Sequence, residues 1–154
     1  SGISIATSAD HILQIMADGT NYSRLRRIWV TPTDDLPAAI SYPVLQLVRL
    51  TTAGTGGSAI SAFRYGSTAT YGGDVRSLPT VKGTEGNLLY QRRMALPATG
   101  AVWTIDAPLW EARWDLEPVV MGTAATSGIA VKIVTGIASC TLDVVAEFVV
   151  TSYT

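Results

Sequence analysis

Few side chains in this sequence could perform or support chemistry, and they are scattered. The chain carries one histidine, His11, beside Asp10, and one cysteine, Cys140. A structural zinc site needs four ligands, usually Cys and His, so this pair cannot make one. His11 next to a carboxylate is a candidate general base, but no nucleophile motif such as Gly-x-Ser-x-Gly accompanies it. We therefore predict that His11 is a structural histidine at a strand end and that the chain is not an enzyme.

The acidic residues allow two further kinds of site. Asp34 and Asp35 stand together in a proline-bounded loop and could offer oxygen ligands to calcium, but the Asp-x-Asp-x-Asp-Gly pattern of a calcium loop is missing. A solvated acidic turn is the simpler interpretation. A carboxylate pair for glycoside hydrolysis stays open, since any two acids can meet across a fold. We predict no metal and no cofactor, and we predict that Cys140 is a small core residue at the start of a strand.

Arginine is the charged residue type with the most informative distribution. The chain has nine Arg and two Lys, and Arg is enriched at protein interfaces where Lys is depleted. A composition bias of the genome would give the same excess. Two groups stand out: Arg24, Arg26, Arg27 and Trp29, and the pair Arg92 and Arg93. Because the net charge is -1, we expect neither nucleic acid nor membrane as partner. We predict instead that these residues lie at contacts with other subunits or proteins.

The composition indicates one domain with a surface unusually poor in charge. A chain of 154 residues can bury a substantial core. Hydrophobic residues make up 47% of it and charged residues 15%, against about 25% charged in ordinary soluble domains. The apolar runs are far shorter than the roughly 20 residues of a membrane span. We predict a single domain over 1–154, partly covered by other chains, in which 1–9 form an extended N-terminal arm or an edge strand.

Alternating hydrophobicity predicts the longest strands. In "CTLDVVAEFVVTSY", which starts at Cys140, one face carries only apolar residues and the other carries Asp143 and Glu147. The apolar face comprises Leu142, Val144, Ala146, Phe148 and Val150. The preceding "GIAVKIVTG" is predicted as a second strand, joined to the first by a short turn. "LWEARWDLEP" also alternates, which predicts that Trp110 and Trp114 are buried.

The remaining segments complete an all-β pattern. Asp18-Gly19 is predicted as the turn of a hairpin, and in its second strand neither face is cleanly apolar. The run 44–50 is apolar on both faces, apart from Gln46 and Arg49, and is predicted to lie centrally in a sheet and to be covered on both sides. A glycine-rich loop follows over 51–58, then a long loop or short irregular strands over 59–86. About eight strands without helix signals predict an antiparallel β-sandwich, jelly-roll-like, with long irregular loops and little or no helix.

Several segments together carry a resemblance to a known class of proteins. They are "HILQIMADGTNYSRLRRIWVT", "LQLVRLTTAGTGGSAI", "LPTVKGTEG" and "EPVVMGTAATSGIAVKI" with "VVAEFVV". These resemble small structural proteins from the head-morphogenesis regions of tailed bacteriophages, some of which are jelly-roll decoration or cement proteins that trimerise on the outside of the shell. The resemblance implies a homotrimer, made in the host cytoplasm, that binds the major capsid protein on the outer surface of the virion. It implies no catalytic residues.

Two other functions remain open at this point. Four Trp and six Tyr on a β-sandwich would also suit a carbohydrate- or receptor-binding module of a phage tail or fibre. Exposed, coplanar aromatic rings at one end of the sandwich would favour that module, whereas buried Trp beside an apolar flank would favour assembly. A small hydrolase, the third possibility, requires a concave pocket with convergent acids.

Overall fold

The structure, a computed structural model, describes residues 3–5, 10–33, 36–63, 68–100, 108–112, 119–137 and 140–151. These ranges form strands and loops, and they include no helix long and apolar enough to cross a membrane. Their strands, in chain order, are β1 (Ile3–Ser4), β2 (His11–Met16), β3 (Tyr22–Pro32), β4 (Val44–Leu50), β5 (Ser58–Ala59), β6 (Val75–Ser77), β7 (Glu85–Arg93), β8 (Trp110–Glu111), β9 (Val119–Met121), β10 (Gly128–Ile133) and β11 (Thr141–Thr151).

Two antiparallel sheets pack against each other. The first has the order β1-β11-β3, and both β8 and β9 pair with the far side of β3. The second has the order β5-β6-β2-β10-β4-β7. The predicted all-β antiparallel sandwich is therefore confirmed.

The pairing of the strands is nested in the manner of a jelly roll. β1 pairs with β11, β2 with β10, β3 with β8 and β9, and β4 with β7. The chain thus resembles one long hairpin whose two arms have been rolled into two sheets. Strands β5 and β6 extend the second sheet beyond β2; β6 is a short strand of the kind expected within 59–86, and β5 begins one residue earlier, at Ser58.

The predicted hairpin at Asp18-Gly19 is wrong, although its turn is present. Asp18-Gly19 does form a turn, in which Gly19 has a φ of +82° and the carboxylate of Asp18 accepts hydrogen bonds from the backbone of Thr20 and Asn21. The strands on either side nevertheless belong to different sheets, so this turn is not a hairpin. β10 and β11 also lie in opposite sheets. A turn signal reports only local backbone geometry, whereas each partner strand here is distant in the sequence.

The core lies between the sheets and consists mainly of branched aliphatic side chains. Central members are Ile12, Ile15, Leu25, Ile28, Leu45, Leu47, Met121, Ile129, Ile133 and Leu142. Burying each such side chain contributes roughly 1.5–3 kcal/mol. Cys140 is buried among them, as predicted. β4 lies inside the second sheet, between β10 and β7, and its outer side is covered at Val48 and Leu50, which form a smaller cluster, whereas Gln46 is only half-buried.

A layer of loops covers that outer side. The side chain of Gln14 is fully buried there; its Oε1 accepts a hydrogen bond from the backbone N–H of Gly54 at 2.7 Å, and its Nε2 donates to Asp74 at 3.1 Å. Gly83 lies beside Gly54, and a Cβ on Gly83 would clash with the carbonyl oxygen of Thr52. Glycine is required at this contact because two backbone segments touch.

The structure also locates the N-terminal segment and one of the two predicted core tryptophans. Residues 3–5 run along the edge of the first sheet, where the N–H of Ile5 donates to the carbonyl of Cys140 at 3.1 Å. Of the two predicted alternatives, an extended arm or an edge strand, residues 3–5 form the edge strand. Trp110 lies opposite Ile28 and packs on the core, but it is half-buried and not fully enclosed. Trp114, Asp34 and Asp35 lie outside the described residues.

Candidate interaction surface

A β-bulge in β3 determines where the first arginine group lies. In the pairing of β3 with β11, Glu147 lies opposite Arg27. The next residue, Phe148, lies opposite Leu25, so Arg26 has no counterpart on β11. Because β3 has one extra residue here, the alternation of inward and outward side chains along β3 shifts by one position. The sequence therefore shows no clean apolar face in this strand, although the folded strand has one.

The bulge places both halves of β3 with their apolar residues inward. Ser23 and Leu25 are buried before it, and Ile28 and Val30 are buried after it. The outer face is left with the predicted contact residues, Arg24, Arg26, Arg27 and Trp29. All four members of this group therefore share one surface.

Arg27 is held in place by contacts within this surface. Its Nε donates to Oε2 of Glu147 at 2.7 Å, and its Nη1 lies 3.7 Å from Oε1 of Glu111. The guanidinium carbon lies 4.7 Å from the centre of the Trp29 ring. Half-exposed ion pairs of this kind contribute at most about 1 kcal/mol each. The main effect of these ion pairs is to fix the orientation of Arg27, whose guanidinium group covers one face of the Trp29 indole.

Two exposed arginines and two exposed valines complete the surface. Val145 lies opposite Trp29 and is 57% exposed; Val149 lies opposite Arg24 and is 41% exposed. The side chains of Arg24 and Arg26 are exposed and form no hydrogen bond or ion pair with other described residues. We call this surface the arginine face; its members are Arg24, Arg26, Arg27, Trp29, Val145 and Val149.

Arg92 and Arg93 lie elsewhere. They end β7, the edge strand of the second sheet, and both are exposed. Arg92 Nη1 donates to the carbonyl oxygen of Pro108 at 2.8 Å. The structure therefore unites the first predicted group and leaves the second pair on the other sheet.

A charged cluster surrounds His11, and sequence reasoning missed it. As predicted, His11 begins a strand, and its Nε2 lies 3.1 Å from Oε1 of Glu85, while Glu85 Oε2 accepts from Nζ of Lys132 at 2.8 Å. Nδ1 of His11 is buried without a hydrogen-bond partner among the described residues. Glu85 lies 74 positions along the chain, so no local signal could have paired the two residues.

The ionisation of this cluster follows from its burial. Burial lowers the pKa of His11, and the hydrogen bond and charge of Glu85 only partly oppose that change. Burial raises the pKa of Glu85, but hydrogen bonds from Lys132 and His11 outweigh it and leave the pKa below its ordinary value. The result is a neutral imidazole beside an ionised carboxylate. The described residues contain no group of three potential metal ligands.

Comparison with known proteins adds no assignment to these observations. No family model matches the chain, and no curated protein or solved structure matches it. The arginine face and the sandwich that supports it are therefore the features from which a function can be inferred.

Proposed function

We propose that this protein is a virion structural protein, a decoration or cement protein that binds the outside of a phage head and stabilises the shell. The observation that carries the proposal is the arginine face, where exposed valines lie beside exposed arginines on a sheet. Aliphatic and guanidinium groups side by side are typical of protein contact surfaces. The sequence resemblance to phage head proteins and the jelly-roll order of the strands support the same function.

Such a protein works by binding and not by catalysis. A ligand that binds the assembled shell, but not its separated subunits, shifts the equilibrium against disassembly by mass action. Many copies in a lattice add weak contacts in parallel. We propose a homotrimer with the major capsid protein as partner, and each contact should bury at least about 1,000 Å². Neither nucleic acid nor a membrane is needed.

The carbohydrate-binding alternative requires an accessible aromatic platform. Among the described residues, Trp29 is the tryptophan on the outer face of the first sheet, and Arg27 already covers one side of its ring. Trp110 packs toward the core. The two tryptophans therefore favour assembly, whereas Tyr42 and Tyr90, 58% and 38% exposed, are rings that a sugar could reach.

Sedimentation provides the test. The purified chain should sediment as a trimer across micromolar concentrations, should co-sediment with emptied phage heads that lack decoration, and should raise the temperature at which those heads fall apart. A stable monomer that does not bind emptied heads would refute the proposal. The glycan-binding alternative would then be the one to test on a glycan array.

A further inference from the structure

We infer that the arginine face recognises an acidic protein surface in which aliphatic side chains lie between carboxylates, with Arg24 and Arg26 as the residues that bind the carboxylates. The inference deepens the proposed function and rests on it in taking this face as the contact surface. It assigns a separate role to each arginine and a chemistry to the partner.

The three arginines of β3 differ in the contacts that their guanidinium groups already make within the chain. Arg27 already donates to Glu147, lies near Glu111 and covers the Trp29 ring. Arg24 and Arg26 are exposed, and within the described chain their guanidinium groups are unpaired. A free guanidinium presents a planar fork of donors that matches the two oxygens of a carboxylate. Arg27 therefore organises the face, while Arg24 and Arg26 remain available to a partner.

Arg24 extends from a backbone that is paired on both sides, and Arg26, the bulge residue, from a backbone that is hydrogen-bonded on the side away from β11. Arg24 lies opposite Val149 of β11 on one side and opposite Val120 of β9 on the other. The carbonyl of Arg26 accepts a hydrogen bond from the N–H of Ala112 at 2.7 Å. Groups carried by paired strands lose less conformational freedom on binding than groups carried by loops. The surface is therefore organised before the partner arrives.

The exposed valines favour a protein partner over nucleic acid. Val145 and Val149 lie between the charged groups, and a phosphate backbone would leave their apolar area uncovered. The net charge of -1 also gives no general attraction for nucleic acid.

A second copy docked on the same face by a twofold axis near Arg24 and Arg26 would bring these identical arginines together. The carboxylates of Glu111 and Glu147 on this face already contact Arg27, so like-charge repulsion between the two copies disfavours this arrangement. An acidic protein surface with aliphatic side chains satisfies both parts of the face.

The test uses immobilised synthetic peptides as defined probes and the full chain as analyte. One peptide alternates Glu and Val; the two controls alternate Gln with Val and Glu with Ser. We expect the Glu-Val peptide to bind best, and we expect binding to weaken as ionic strength rises from about 0.01 M to about 0.15 M and the Debye length falls from about 30 Å to about 8 Å. The affinity of the double variant R24Q/R26Q for the Glu-Val peptide should be lower by a factor of about ten or more.

The variant R92Q/R93Q is the matched control, since it removes the same charge from the other sheet. R92Q/R93Q should bind the Glu-Val peptide as tightly as the unmodified chain does. Both double variants should have the melting temperature of the unmodified chain. Equal binding by R24Q/R26Q and the unmodified chain would overturn the inference, as would an equal loss in R92Q/R93Q or equal binding to the Glu-Ser peptide. A change in oligomer size with unchanged peptide binding in R24Q/R26Q would also overturn it, by showing that the face contacts another copy.

The peptide assay and the phage-head assay separate the two proposals. Binding to emptied heads without the expected peptide selectivity would leave the proposed function intact and refute this inference. Peptide selectivity without binding to heads would support the inference about the face and refute the role in head decoration.

Discussion

Replacement of Gln14 should show how the loop layer is held on the second sheet. The fully buried amide links β2 to Gly54 and to Asp74, which lie in two different parts of that layer. Gln14→Leu keeps a side chain of similar size and removes both hydrogen bonds. The N–H of Gly54 is then left buried without this acceptor. Asp74 loses less, because it retains a two-pronged ion pair with Arg76.

The expected cost follows from these partners. A buried donor left without an acceptor costs about 1–3 kcal/mol, so Gln14→Leu should lower the free energy of unfolding by about 2 kcal/mol. For a chain of this length that corresponds to a fall in melting temperature of about 4–8 °C. The matched control is Gln46→Leu in β4, because Gln46 bonds to Gln91 at an exposed position. Its effect should stay within about 0.5 kcal/mol.

Urea unfolding measures the energy, and amide hydrogen exchange locates it. In Gln14→Leu the amide of Gly54 should exchange much faster than in the unmodified chain, whereas in Gln46→Leu it should not. If Gln14→Leu and Gln46→Leu proved equally mild, or if the Gly54 amide stayed protected in both, the hydrogen bond to Gln14 would not be what holds the loop layer.

Two further predictions concern pH and packing. The free energy of unfolding should fall as the pH drops below about 6.5, because the unfolded chain then takes up a proton that buried His11, with its lowered pKa, resists. It should fall again below about 4.5, where Glu85, whose pKa is also lowered, is protonated first in the unfolded chain. The measurement is the urea midpoint at a series of pH values. His11→Gln should remove the decrease below about pH 6.5. If the variant and the unmodified chain gave the same profile, His11 would not be the cause of that decrease. Trp110→Ala should cost about 3 kcal/mol, the lower end for core aromatics, since Trp110 is half-buried; an unchanged melting temperature would contradict its packing on the core.

The strand pattern could be predicted wherever a strand is half-buried along its whole length. In β11 the alternation from Leu142 to Val150 matches the structure, in which Val144, Ala146 and Phe148 pack on the core. β4 was equally clear, because it lies between two other strands and is partly covered on its outer side. β3 was not, because the bulge at Arg26 changes the phase in mid-strand and sequence periodicity assumes a constant phase. The four predicted contact residues were singled out by residue type, and the structure shows that the bulge places them on one face.

Pairing and loop cover could not be predicted locally. Gly19 has the positive φ that primed hairpin turns require, but the strand after it, β3, joins the opposite sheet. No sequence signal distinguishes Gln14 from other strand residues, although its buried amide accepts a hydrogen bond from Gly54 in a glycine loop 40 positions away. Such contacts depend on three-dimensional neighbours that hydrophobic periodicity does not encode.

The interleaving of early and late strands also constrains how the chain can fold during synthesis. β10 lies between β2 and β4, and β11 lies between β1 and β3, so each sheet contains a gap until β10 and β11 have been made. The earlier strands would expose unpaired edges while the ribosome is still adding residues. Folding should therefore be a late, all-or-none event dominated by contacts between distant parts of the chain, which makes it slow. Removing β11 alone would separate β1 from β3 and leave β3 with its pairings to β8 and β9 on one side.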